Sequence, residues 1–564
     1  MIKIKYFLLF YICLSWYDLS SQDHPNVILI VADDLGHKDV SYNNGYIKTP
    51  NIDQYQNEGI RFERFYTTAP VCSPTRGAIM TGRISERFGI SGANKGKLLQ
   101  QEINLGEVLL TEGYNTGHFG KWHLGTLTTD LIDGNRGMPG DTSVYSPPWE
   151  NGFKTSFATE NAVPTFDPMK ILNSDNQPLD FEDENYYGTA YWVSQDFEKG
   201  LRADIENVIG DDNAIIIDQA LGFIENSVDD EKAFFCNVWF HTPHLPVVPR
   251  EDYRNLYTDD EWDQIDEFDQ PFVNAISSMD FEIGRLFKFL EQKGVLDNTI
   301  IWFMSDNGPT GSRPDAVGDF KGRKNTIYEG GVRVPSFFHY GPLNQNSILQ
   351  EPVSTLDVLP TIYELVTDKI YESSLPVDGT SLVPVLTNQN TFCRKRPIFC
   401  MKDGLKWKAI FEDDYKLICH NEVVWELYDL KNDPSETNNL ITSNEDVFTK
   451  MRETILEYES HICKDLDYMK SDCSSSLPQD EETFTLSIFP NPAKEKLFID
   501  LNTCQAGGSI RIFNTKGTEI ENFRVKTAQK VEIDLSNFLP ATYIVRVTNA
   551  SGKAIVSKFI SLAN

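Results

Sequence analysis

Cys72 stands between two prolines in PVCSPTR, with Arg76 four residues on. No cysteine lies near it in sequence, so the thiol either pairs at a distance, fills a loop core, or is kept for chemistry. A second set of residues offers hard oxygen atoms. Asp33 and Asp34 follow one apolar run, Asp306 and Asn307 follow another, and carboxylate and amide oxygens brought together in this way suit a cation such as calcium. Read singly, a DD pair is as readily a helix N-cap and DNG a turn. Basic and imidazole groups complete the inventory: Lys121 and His123 in GKWHLG, His241 and His244 in HTPHLP, and Lys321, Arg323 and Lys324 in KGRKNTIYEGG. Each has a plainer reading as a surface loop or a charged helix start. If the substrate is anionic, these basic groups are the ones able to act on it locally.

Such a site exists only if the chain carries these residues to one place. NVILIV at 26–31 and NTIIWFM at 298–304 read as buried strands of a parallel sheet with the acidic residues at their carboxyl ends. AFFCNVWF at 233–240 reads as a third strand, and 213–225 and 271–294 have a helical pattern. Alternating strands and helices predict an α/β domain over 22–390, in which ligands gather beyond the carboxyl ends of the strands. From about 391 the pattern changes to short strands, the polar turn KNDPSETNNL and a helix from about 444 to 463, an α+β subdomain extending to 470. A polar linker at 471–484 leads to an all-β domain at 485–564, punctuated by NTKG and NASG turns.

With 564 residues, 40% hydrophobic and 12% aromatic, the chain has the material for a large core and several domains. Its net charge of -32 disfavours nucleic acid or an anionic membrane as partner, so any anionic substrate must be held by local basic groups. MIKIK followed by YFLLFYICLSW and Ser20-Ser21 has the layout of a signal peptide over 1–21, and its apolar run is shorter than the roughly 20 residues of a membrane span. The expected location is secreted or cell surface, with passage through the periplasm. Removing Cys13 with the leader leaves eight cysteines, of which 463 and 473 are a candidate pair.

CSPTRGAIMTGR at 72–83 closely resembles the signature of the sulfatase family, GKWHLG its second signature, and LYDLKNDPSETNNL at 427–440 its C-terminal subdomain. The resemblance covers roughly 24–465. It implies an alkaline-phosphatase-like central mixed sheet flanked by helices, and a Cys72 oxidised by a separate maturation enzyme to formylglycine (3-oxoalanine). The hydrated aldehyde offers one hydroxyl to attack sulfur and a second whose deprotonation expels sulfate. By the same resemblance Asp33, Asp34, Asp306 and Asn307, with residue 72 itself, hold calcium. Arg76 and His123 hold the formylglycine, Lys121 and Lys324 bind sulfate, and His244 reaches the leaving oxygen with His241 in support.

The tail strings FPNP, IRIFNTKG, LPATYIVRV and AIVSKFIS resemble the type IX secretion sorting domain of Bacteroidetes, with a carbohydrate-binding β-sandwich as the other reading. The function expected is removal of sulfate from carbohydrates, with oligosaccharides of algal polysaccharides such as ulvan or carrageenan as candidates. A phosphonate or phosphodiester hydrolase of the same superfamily and a non-catalytic binder of sulfated glycans are the alternatives. Between 126 and 210 an irregular segment carries Tyr145, Trp149, Phe153, Phe166, Tyr186, Tyr187 and Trp192, rings able either to stack on sugars or to fill a local core. The segment is rich in Asp and Glu, which favours short oligosaccharides or chain ends over long polyanions.

Overall fold

The computed structural model describes residues 24–172, 188–387 apart from 312, 394–473 apart from 395 and 422, and in the tail 486–489, 493, 496–501, 508–514, 518–525, 530–539, 541–548 and 554–561. The leader, Tyr186, Tyr187, Cys393, Cys504 and 474–484 of the linker lie outside these residues.

Every side chain of the strand Asn26–Ala32 is buried, as expected of an uninterrupted apolar run covered on both faces. It lies parallel between Thr299–Ser305 and Phe234–Trp239 in a ten-stranded sheet. Parallel pairing continues through Asn115–Lys121 to Thr155–Thr159, while Ser336–His339 runs antiparallel and makes the sheet mixed. Alternate residues of the central strand serve opposite layers. Ile28 and Ile30 join Ile216, Ile276 and Ile283 of the helices Asp212–Asp229 and Gln270–Lys293. Val27, Leu29 and Val31 join Ile79 and Met80 of Cys72–Thr81 and Leu105 of Leu105–Thr111 on the other face. The register sets Ala32 beside Ser305 and Gly120 beside Trp239, so the residues that follow emerge together at one end of the sheet.

Four antiparallel strands spanning Ile398–Lys402 to Val424–Asp429 and the helix Glu445–Cys473 form the α+β unit. That helix runs past its expected end at 463, since HICKDLDYMKSDC contains neither Gly nor Pro to stop it. Cys463 and Cys473 therefore sit on one helix, roughly 15 Å apart at 1.5 Å per residue, beyond the ~7 Å reach of a disulfide. The expected pairing is corrected accordingly. The tail forms a three-stranded and a four-stranded sheet around Ile499, Ile512, Val545 and Phe559. Ile544 of the tail packs on Ile103, Val108 and Tyr363 of the α/β domain. Among the described residues no helix is long and apolar enough to cross a membrane.

Candidate active site

Cys72 opens the helix Cys72–Thr81 directly after an extended Val71, with the whole helix buried. Its Sγ lies 3.4 Å from Asp33 Oδ1, 4.0 Å from Asp34 Oδ1 and 3.6 Å from Lys324 Nζ. Four residues on, one turn along the helix, Arg76 grips Asp306 through Nε at 2.9 Å and Nη2 at 2.8 Å and donates to the Lys121 carbonyl at 3.1 Å. That one-turn spacing explains why the thiol and the guanidinium face the same strand ends.

The strand ends supply the rest. Lys121, the last residue of its strand, reaches Asp33 Oδ2 at 2.6 Å, and Lys324 reaches Asp34 Oδ1 at 2.6 Å. Asn307 Nδ2 donates to Asp34 Oδ1 at 2.7 Å, and Asp306 Oδ1 accepts from the Asp34 N–H at 3.2 Å. His244 Nε2 stands 3.7 Å from Asp34 while its Nδ1 lies 2.6 Å from the Leu245 carbonyl oxygen. His123 adopts positive φ and turns its Nε2 to Asn94, 3.2 Å away, leaving the buried Nδ1 unpartnered. His241 is set back, held between Asp212 at 2.7 Å and Thr159 at 2.7 Å, in keeping with support rather than contact.

Charge in this cluster is uneven. Burial opposes ionisation of Asp33, but Lys121, His244, Arg76 and Lys324 together hold it well below the usual carboxylate range. Asp306 goes the other way, pushed up to about 7 by burial and by the neighbouring Asp33. Burial also raises the Cys72 thiol, with Asp306 adding to the effect, so the unmodified sulfur is a poor nucleophile. His123 and His244 are both shifted down by burial and are neutral at pH 7.

The sulfatase family model matches residues 25–368, more than half of the chain. The chain belongs to the sulfatase family. It is therefore a sulfuric ester hydrolase. A C-terminal model described as N-sulphoglucosamine sulphohydrolase matches 320–461, and a secretion system C-terminal sorting domain matches 487–561, which marks the chain for export. Similar proteins include an arylsulfatase of Hemicentrotus pulcherrimus, 29% identical over 82% of this chain and 87% of that one. A sulfatase of Formosa agariphila is 27% identical over 74% of this chain and 85% of its own. The solved structure of Ps i-CgsB in complex with k-i-k-neocarrahexaose is 26% identical with a TM-score of 0.64, covering 77% of this chain and 93% of that one.

Members of the family work with a formylglycine and a divalent metal. In this sulfatase one ligand atom from each of Asp33, Asp34, Cys72 and His244 lies within 4.8 Å of the others, the sole such group among the described residues. Asn307 Oδ1 is buried and has no partner among the described residues, and Asp306 is pushed up by burial and by the charge of the neighbouring Asp33. A divalent cation relieves both conditions, and the donors are mainly oxygen, so the residues fit a hard ion.

The sulfatase site also contains residues whose roles the motifs do not reveal. Arg136, from the long irregular segment, donates to Ser73 Oγ at 2.8 Å and to the carbonyls of Ala93 and His123 at 2.8 and 3.3 Å, and pairs with Glu160 at 2.7 Å. It ties together the loops on either side of the thiol; a lone arginine in an irregular stretch gives no signal of this. Glu329 of the EGG motif is fixed by Tyr66 at 3.0 Å and Lys416 at 3.0 Å, and its N–H by Glu436 at 2.7 Å. Lys416 and Glu436 come from the α+β unit, which thereby braces the loop carrying Lys324. Of the rings in the irregular segment, Trp149, Phe153 and Trp192 are buried in the core, where a bulky apolar group is worth most, and Phe166 lies under the Arg250 guanidinium. Trp149, Phe153 and Trp192 are therefore not free to meet a sugar, while Phe166 is only partly buried.

Proposed function

We propose that this chain is an exported carbohydrate sulfatase acting on sulfated oligosaccharides, algal ones such as those of carrageenan or ulvan being the candidates. The observation that carries the reading is the arrangement around residue 72, where Lys324, Lys121 and Arg76 converge on a buried nucleophile position and four acidic or amide side chains. Formylglycine at position 72 would supply a hydrated aldehyde as nucleophile, and Asp33, Asp34, Asp306, Asn307 and residue 72 would hold a calcium ion that would supply positive charge to offset that of a sulfate ester.

The chain's own residues divide the remaining work. Lys121 and Lys324 neutralise the acidic cluster at rest and are placed to turn toward sulfate as it enters. Arg76 fixes Asp306, which is thereby placed to accept a proton from the attacking hydroxyl. His244 is neutral in the resting site, and an anionic substrate raises its proton affinity, fitting it with Lys324 to protonate the departing sugar oxygen. His123, neutral and with a free Nδ1, takes the second proton as sulfate leaves.

The carbohydrate class rests on the solved relative bound to a neocarrahexaose, and the export route, type IX secretion, on the sorting tail. A matrix of substrates tests the reading on protein co-expressed with a maturation enzyme and checked by mass, formylglycine being about 18 Da lighter than cysteine. Sulfate release from aryl and oligosaccharide sulfates is expected, with little from intact polymer. Preferential phosphate or phosphonate cleavage would select the other hydrolase, and binding without turnover the non-catalytic reading.

A further inference from the structure

One exposed ring near the segments that carry His244 and Lys324 has no part in the chemistry above. Phe268 lies two residues before the Gln270–Lys293 helix and is 53% exposed. Its ring rests on Phe272, with centroids 5.7 Å apart. Phe272 is buried against Val247, three residues beyond His244, and under the Arg313 guanidinium, 4.3 Å from the ring. On its other side Phe268 Cζ comes within 4.0 Å of the point that a Cβ on Gly311 would occupy. The Gly311 carbonyl accepts from Arg323 Nη1, and the Lys324 N–H donates to the Pro309 carbonyl at 3.1 Å. Phe268 thus stands between the segment that carries His244 and the loop that carries Lys324.

Its neighbours complete a recognisable chemistry. Arg323 is exposed and, among the described residues, has no carboxylate within ion-pair distance. In a chain with 83 acidic and 51 basic residues, an unpaired guanidinium next to the site lysine is available to an external anion. Leu245, 42% exposed, directly follows His244, whose Nδ1 contacts its carbonyl oxygen. A planar ring, an aliphatic edge and an unpaired cation on the His244 and Lys324 side match one face of a sugar that carries an additional charge.

Resting on the carbohydrate reading, we propose that Phe268, Leu245 and Arg323 form the subsite for the sugar on the leaving-group side, with Phe268 stacking on its face and Arg323 binding a second sulfate ester. The test uses matured full-length protein, desalted oligosaccharides from carrageenan and ulvan, and para-nitrophenyl sulfate. With the best oligosaccharide, Phe268→Ala lowers kcat/KM about ten-fold more than with the aryl sulfate, mostly through KM. Phe268→Trp recovers the oligosaccharide rate, and Arg323→Gln penalises a doubly sulfated substrate more than its singly sulfated counterpart. Equal losses on aryl and oligosaccharide substrates would make Phe268 merely structural and overturn the subsite, as would no loss at all. A wild-type enzyme that cleaves the aryl sulfate and none of the oligosaccharides would overturn the carbohydrate reading and the subsite with it.

Discussion

Asp306 and Glu86 are both buried acids that titrate at about 7, yet they make different predictions. Asp306 faces other charges, so its removal acts on chemistry: Asp306→Ala, or exhaustive chelation, reduces turnover by at least a hundred-fold, about the effect of losing one strong electrostatic contact. Circular dichroism remains largely native in either case, and full activity in chelated, metal-free protein would contradict the metal assignment. Among the described residues Glu86 has no ionic partner; burial raises it, one oxygen has no partner among those residues and Ser85 is its weak donor at 3.4 Å. Its proton is held more tightly in the folded chain than in the unfolded one, where it leaves near 4.5. Stability therefore falls as pH rises from that value to about 7, by on the order of 3 kcal/mol, and levels off above it. Denaturant unfolding of Glu86→Gln shows a flatter profile across this window. An unchanged slope would mean that Glu86 is ionised in the native state.

Among the elements, the loop from Lys321 to Arg333 depends most on distant parts of the chain. Lys416 lies wholly buried, 3.0 Å from Glu329 and 2.8 Å from Glu436. Lys416→Met leaves two buried carboxylates facing each other and costs about 3–5 kcal/mol, measured as a lowered denaturant midpoint. Adding Glu329→Gln and Glu436→Gln to the same chain recovers much of the loss; failure to recover would show that Lys416 acts by packing alone. The sequence makes this loop's lysine legible but not its brace, because Lys416 and Glu436 are ordinary surface-type residues whose pairing depends on tertiary contact. The strands ending at Ala32 and Ser305 were readable because their apolar runs are uninterrupted, and their acidic ends followed. The helix beyond 463 is not legible in the sequence, because a polar composition resembles a linker when no Gly or Pro marks the boundary. Exposure is the least legible property: Trp149 in an irregular stretch is buried, while Phe268 beside a helix start is open.

For the whole molecule, the export tail is more than an appendage in sequence. Ile544 covers Ile103, Val108 and Tyr363, so truncation from about residue 484 uncovers an apolar patch on the catalytic domain. Truncated protein is expected to keep full turnover of small aryl sulfates while binding more of a hydrophobic dye and losing solubility. Loss of aryl sulfatase activity in a folded truncation would make the tail part of the enzyme. The acidic surface acts at the same scale, because a chain of net charge -32 repels long polyanions and admits short ones more readily, an effect that weakens with added salt.

The burial of Cys72 fixes an order of events in the life of the chain. Its sulfur is covered by Asp33, Asp34 and Lys324, contributed by segments far apart in sequence, so no second protein can reach it once those segments have met. If Cys72 is the residue converted, conversion has to come before the sheet closes over it. A molecule that folds first is stranded with its thiol, correctly shaped and inert. The yield of working enzyme is then decided by a race between modification and folding, upstream of any encounter with substrate.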